Sequence, residues 1–225
     1  MQLTTRTIAL ILSVAASLAY LFLARSIPFP AHVVVKGLPV ALLGVVALQA
    51  RHSILATALL LSSLGDVLLD LGPSNFLPGL AAFLTAHLIY TVMFLRHRAQ
   101  ANPASTQWLW PVLLTVYGIC IGAWLAPSLA QMRTPVFCYI AAIVAMAATA
   151  SQAKYRSRWV FPGALLFLIS DSVLGVSRFK MQIPWSDFLI WTTYYAGQCA
   201  IALGVLNEAV RQPAKSGSNG ASRLA

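Results

Sequence analysis

The sequence predicts an all-α polytopic membrane protein, a bundle of eight transmembrane helices, and three observations carry that prediction. Of the 225 residues 59% are hydrophobic and only 9% are charged, too few charges for a soluble domain of this size. Eight apolar segments can be drawn, at residues 8–24, 32–49, 53–70, 77–95, 108–126, 134–151, 159–176 and 185–206. Each is long enough, at 1.5 Å rise per residue, to cross a hydrocarbon core of ~30 Å. A membrane β-barrel would instead need alternating segments of about ten residues, and this chain shows none.

The first segment follows Arg6 and resembles a leader peptide, but its run from Ile8 to Ala24 exceeds the usual apolar region of about 7–15 residues. A retained first span is therefore expected. The second span starts near Pro28 and Pro30, either before or after His32. The third rises from Arg51 and ends at Asp70, the fourth follows Pro78, and the fifth opens at Trp108. The sixth follows Arg133, the seventh follows Arg158, and the eighth closes at Leu206. Pro39, Pro111 and Pro162 fall inside spans, where a kink can free carbonyls, although proline is common in membrane helices. Short linkers make residues 1–207 one domain, and faint similarity between LLLSSLGDVLLD and LLFLISDSVLG leaves open two parallel four-helix halves. Residues 208–225 run into RQPAKSGSNGASRLA, which cannot bury enough apolar surface to offset its ordering entropy, so a disordered cytoplasmic tail is expected.

Charge orients the bundle. Arg6, Arg51, Arg96, Arg98, Lys154, Arg156, Arg158, Arg211, Lys215 and Arg223 fall on the side of the N-terminus, and Arg25, Lys36, Arg133, Arg178 and Lys180 on the other. The positive-inside rule then places both termini in the cytoplasm, in a bacterial-type inner membrane. The formal charge of +10 is explained by this bias and by attraction to anionic lipid. With no basic stripe interleaved with aromatics, nucleic acid is not an expected partner. Cys120, Cys138 and Cys199 lie within spans, lack a CxxC spacing, and read as small buried hydrophobes.

Function should be sought at the carboxylates. Only five acidic residues occur, and Asp66, Asp70 and Asp171 sit in or at the edge of apolar runs. An ionisable group within a span is costly and usually faces a cavity or a partner. The topology sets Asp66 and Asp171 in the outer halves of spans three and seven and Asp70 near the outer interface. His87 falls about 14 Å along span four from Pro78, near mid-membrane. Lys36, Arg178 and Asp187 ring the same outer end, so one polar cavity opening outward is expected. Asp66 and Asp70 are four residues apart on one helix face and cannot both carry charge comfortably in a low-dielectric site. His87 shares a face with Tyr90, and Tyr194 with Tyr195 lies at mid-depth in the last span. Plainer readings stay open: an Asp–Lys36 clamp between spans, a hydrogen-bonded His87, Asp70 as a helix end, and tyrosines as interface anchors.

No P-loop, GxGxxG, HExxH or GxSxG pattern is present. His52 and His97 lie on the cytoplasmic side, so a three-histidine zinc site is hard to assemble, although Asp66, Asp171 and His87 are possible metal ligands by type. No metal and no cofactor is expected. Ser62 and Ser170 suit the orientation of neighbouring carboxylates, or the satisfaction of helix carbonyls, better than nucleophilic attack.

The chain resembles the lysoplasmalogenase family, the bacterial YhhN-like membrane proteins and their animal TMEM86-group relatives. The resemblance rests on KGLPVALL at Lys36–Leu43, SSLGDVLLD at Ser62–Asp70 and FLPGLAAFLTAHLIY at Phe76–Tyr90. PGALLFLISDSVLGVSRF at Pro162–Phe179 and TTYYAGQ in the last span continue it. Its Lys, Asp and His positions are carried by Lys36, Asp66, His87 and Asp171. The resemblance implies a hydrolase that cleaves the vinyl ether of a lysoplasmalogen to a fatty aldehyde and glycerophospho-ethanolamine or -choline. The lysophospholipid would be substrate and bilayer lipid the surroundings. Asp66 and Asp171 would be acid and charge stabiliser in either order, with His87 beside them. Lys36, Asp70, Tyr90, Tyr194, Tyr195 and Arg178 would serve the headgroup or the polar network. The competing reading is a small-solute or proton-coupled transporter using the same cluster, which would need a second opening on the cytoplasmic side.

Overall fold

A computed structural model describes residues 4–23, 26–98 and 108–209. It contains eight long helices: α1 (Thr5–Leu23), α2 (Ala31–Gln49), α3 (Ser53–Asp70), α4 (Phe76–Arg96), α5 (Leu109–Leu125), α6 (Arg133–Gln152), α7 (Val160–Phe179) and α8 (Ser186–Ala209). All eight are long and apolar enough to cross a membrane, so the chain is a polytopic membrane bundle. The second span starts at Ala31, which puts His32 inside the first turn of α2. Most of the expected tail and Arg25 lie outside the described residues, but the last helix carries the chain two residues past 207, to Ala209.

Neighbours in sequence pack as neighbours in space: α1 on α2, α2 on α3, α3 on α4, α5 on α6, α6 on α7 and α7 on α8. Between the two sets of four, α4 packs on α6 and α8 on α2. Those two contacts are equivalent under a parallel repeat of α1–α4 and α5–α8. Lipid tails are as apolar as leucine, so burial in the bilayer gives these helices no hydrophobic drive toward each other, and close packing with interhelical hydrogen bonds must hold them. The backbones of α7 and α8 approach closely, and a Cβ added to Gly163 would stand 2.8 Å from the Gly197 carbonyl oxygen. From α8, Tyr194 reaches the Asp66 carboxylate of α3. Polar bonds fasten α1 in the same way. Ser13 donates to the Pro39 carbonyl at 2.7 Å and bonds the Tyr195 hydroxyl at 2.7 Å, and the Trp191 indole donates to the Ser17 carbonyl at 3.2 Å.

The two ends of the bundle differ. At the end bearing Thr5 and Ala209, the last turn of α4 is tied to the chain after α6. Arg98 forms an isolated antiparallel bridge with Ala153, the Lys154 N–H donates to the His97 carbonyl at 2.9 Å, and Tyr155 bonds the His97 ring at 3.0 Å. At the same end His52 caps α3 by accepting from the Leu55 N–H at 3.4 Å. Burial lowers its pKa and keeps the ring neutral, as an acceptor must be. At the opposite end Gly72, at φ 124°, takes the backbone geometry glycine tolerates best and turns α3 back into α4. A cleft opens at this end.

Candidate active site

The cleft is walled by α2, α3, α4, α7 and α8 and encloses about 660 Å³, part of it open to the outside. Both sequence-predicted carboxylates line it, Asp66 from α3 and Asp171 from α7, together with Lys36, Arg178, Ser170 and Tyr194. Phe83, Trp191 and Leu174 complete an apolar frame. A concave, largely apolar hollow with a few convergent polar groups is of the kind that binds small ligands.

Each carboxylate is held by a tyrosine from another helix. Tyr194 of α8 donates to Asp66 Oδ2 at 2.7 Å, and Asp66 is only 4% exposed. Tyr139 of α6 donates to Asp171 Oδ2 at 2.5 Å. The two tyrosines do not stand on helices that a parallel repeat would make equivalent, since it pairs α8 with α4 and α6 with α2. Behind Asp171 stands His87, fully buried, its Nε2 3.7 Å from Asp171 Oδ2. That distance exceeds a hydrogen bond, and both ring nitrogens of His87 lack a hydrogen-bond partner. The ring packs on Phe167 and edge-on against Tyr139, with centroids 4.7 and 5.2 Å away. His87 therefore touches the site through Asp171 without forming part of the cleft wall.

Lys36 pairs with Asp70, at 3.0 Å from Oδ1, rather than with Asp66 or Asp171. His32 Nε2 lies 3.2 Å from the other Asp70 oxygen, outside hydrogen-bond geometry. Asp70 is thus the counter-ion of the lysine at the cleft's edge. The interspan clamp weighed for an aspartate with Lys36 falls to it, and among the described residues no lysine or arginine pairs directly with Asp66 or Asp171. Arg178 lies over the Phe76 ring, 4.9 Å from its centroid, at the mouth.

Other candidates sit elsewhere. Tyr90 donates to the Gln198 side-chain oxygen Oε1 at 2.7 Å, a bond between α4 and α8 below the cleft, and Tyr195 faces Ser13 of α1. Neither lines the cleft, and Asp187 at the start of α8 is exposed and lies off its walls. Ser62 donates to the Ala58 carbonyl and Ser170 to the Ile190 carbonyl, both at 3.0 Å, so both serve backbone oxygens. Cys120 and Cys138, expected inside, are exposed: they fall on the bundle's outer surface, where lipid tolerates a small apolar side chain as well as a core does. Among the described residues no group of three His, Cys, Asp or Glu side chains is placed to hold a metal, and Asp66, Asp171 and His87 do not form one.

Two side chains at the cleft and its carboxylates were not anticipated, Tyr139 and Trp191. Tyr139 has no acidic neighbour in its own helix, and its partner is 32 residues away. A depth argument could have found it: six residues into α6 from the cleft end is about 9 Å, close to the depth of Asp171, eight residues or about 12 Å from the end of α7.

Comparison with known proteins gives the chain a family. The sequence model described as the YhhN family matches residues 31–205, a stretch holding every residue of the cleft wall and leaving out α1. A lysoplasmalogenase of Mycobacterium bovis is 35% identical over 154 residues, covering 67% of this chain and 59% of that protein. Human lysoplasmalogenase TMEM86B is 35% identical over 161 residues, 70% of this chain and 65% of its own length. Bovine lysoplasmalogenase TMEM86A is 29% identical over 167 residues, 69% and 65% respectively. The chain thus spans less than two thirds of the length of these relatives. No solved structure matches it. The chain belongs to the YhhN/lysoplasmalogenase family, with TMEM86 proteins among its homologues.

Proposed function

We propose that this protein is a membrane hydrolase that cleaves the vinyl ether bond of lysoplasmalogens, releasing a fatty aldehyde and glycerophospho-ethanolamine or -choline. One observation carries the proposal: Asp66 and Asp171 line a single cleft, each held by a tyrosine hydroxyl, with Lys36 and Arg178 on the same walls. The names of the relatives support it. The reaction needs a proton delivered to carbon, stabilisation of an oxocarbenium-like species and a guided water. One carboxylic acid gives its proton to the double bond, whose π electrons form the new C–H bond. The other, as carboxylate, stabilises the positive charge on the carbon bearing oxygen and takes a proton from the attacking water. Collapse of the hemiacetal breaks the C–O bond, and the glycerol oxygen leaves as a hydroxyl with that proton. The hemiacetal O–H proton restores the acid. Lys36 and Arg178 suit the lipid phosphate, Lys36 as a flexible point charge. The bias of basic residues supports cytoplasmic termini and a cleft in the outer half of a bacterial inner membrane.

The test is product analysis with purified, EDTA-treated protein and three lysolipids, the alkenyl form and its alkyl-ether and acyl analogues. Aldehyde from the alkenyl form alone is the expected result. No aldehyde from folded protein, or equal cleavage of the acyl analogue, would remove this reading.

A further inference from the structure

The cleft shares part of its wall with a second hollow. Phe76, Asp171, Leu174 and Arg178 wall a second space as well, between α4, α5, α6 and α7, which encloses about 590 Å³. The two spaces differ in chemistry. Apart from the shared Asp171 and Arg178, the second has no charged group on its walls, which are mainly side chains such as Leu80, Ile121, Ile140 and Leu168. Its hydroxyls are already committed: Tyr117 donates to Ser172 at 2.6 Å, Ser172 to the Leu168 carbonyl at 2.7 Å, and Tyr139 to Asp171. From Leu168 to Phe179 along α7 the groove runs about 16 Å. Its side facing the bilayer is the seam between α5 and α7. There α5 leans on α6 and meets α7 at few points, and Tyr117 stands 39% exposed.

We propose that this groove holds the single hydrocarbon chain of the lipid substrate, admitted sideways from the bilayer past Tyr117, while the polar end occupies the cleft and the reacting bond lies at Asp171. The proposal rests on the reading of the cleft as a lysolipid hydrolase site. Two observations select a chain as the occupant: the apolar walls, and the four wall residues shared with the charged cleft. Placement of the chain also orders the two carboxylates. The chain-side carbon of the vinyl ether, which receives the proton, falls beside Asp171. The oxygen-side carbon, which takes the water, falls toward Asp66. Asp171 is then the acid and Asp66 the stabiliser and water base.

The experiment uses the full chain in phosphatidylcholine nanodiscs and a non-cleavable alkyl-ether lysophosphoethanolamine carrying a diazirine at its chain end. After irradiation, labelled positions are mapped by peptide mass spectrometry. Label on groove residues such as Ile121 and Leu168, competed away by the unlabelled ether lipid, is the expected result. A Cβ at Gly175 would meet only Leu125, at 3.7 Å, so Gly175→Phe should enter the groove and cut that labelling at least about tenfold, roughly 1.4 kcal/mol of occupancy. Ile119→Phe, at a position 66% exposed on α5 and absent from the groove walls, should leave it unchanged. Should Gly175→Phe not fold, Gly175→Leu and Ile140→Phe take its place, and the wild-type map stands without any variant. Label confined to outward positions such as Ile119 and Val112, or groove label indifferent to competitor and filling, overturns the proposal. The probe is not hydrolysed, so a labelled groove in a protein that yields no aldehyde from alkenyl lipid would remove the hydrolase reading and leave the groove's occupant standing.

Discussion

Tyr139→Phe removes one buried hydroxyl and little else. The ring stays in place against His87, while the 2.5 Å donor to Asp171 Oδ2 is lost. A hydrogen bond to a charged group contributes roughly 1.5–3 kcal/mol, and 1.4 kcal/mol is tenfold in rate. If Asp171 is the acid it becomes a carboxylate as it releases its proton, so the bond from Tyr139 strengthens on the way to the transition state. An interaction gained in the transition state shows in kcat rather than KM. Tyr139→Phe should therefore lower kcat by about tenfold to about a hundredfold with KM little changed, measured as aldehyde release from alkenyl lysolipid. Tyr194→Phe provides the comparison. In the proposed order Asp66 would be the carboxylate and would lose charge as water is activated, so removal of its 2.7 Å bond should lower kcat less. Thermal unfolding in detergent checks that both variants fold. A folded Tyr139→Phe protein whose kcat stays within about twofold of wild type would refute the reasoning, and a larger loss for Tyr194→Phe would reverse the order of the carboxylates.

Asp66→Asn and Asp171→Asn should each keep membrane insertion and lose at least about 10² in kcat, the scale of acid–base catalysis; near-normal turnover in either folded variant would take that residue out of the chemistry. Lys36→Met should raise KM for phosphorylated lysolipid while sparing a headgroup-free vinyl ether, and equal losses of kcat on both substrates would place Lys36 in the catalytic network. His87→Gln should cost about tenfold, because the ring stands 3.7 Å behind Asp171 and off the cleft wall; more than half the activity with an unchanged pH profile would rule out a proton-carrying role. A reporter fused after Leu206 should read cytoplasmic, and a signal from the opposite face would overturn the orientation drawn from the basic residues.

Sequence alone determined the eight spans and the two carboxylates. Span-length apolar runs are forced by the bilayer, which tolerates no unpaired backbone, and a carboxylate inside such a run is too costly to be incidental. Direction follows from counting spans, so the shared depth of Asp66, Asp171 and Lys36 was legible without coordinates. Partner choice was not. Lys36 is one helix away from Asp66 and Asp70 alike, and only the rotation of α2 against α3 decides for Asp70. Tyr90, Tyr194 and Tyr195 look equivalent in sequence, yet α8 turns Tyr194 to Asp66 and Tyr195 to Ser13, while Tyr90 meets Gln198. Tyr139 reaches Asp171 because α6 lies against α7, and the apolar hollow beside it opens because α5 leans on α6 and meets α7 at few points. In a bilayer every face of an apolar helix is equally comfortable, so hydrophobic pattern cannot say which face turns inward. That choice belongs to the packing of the assembled helices.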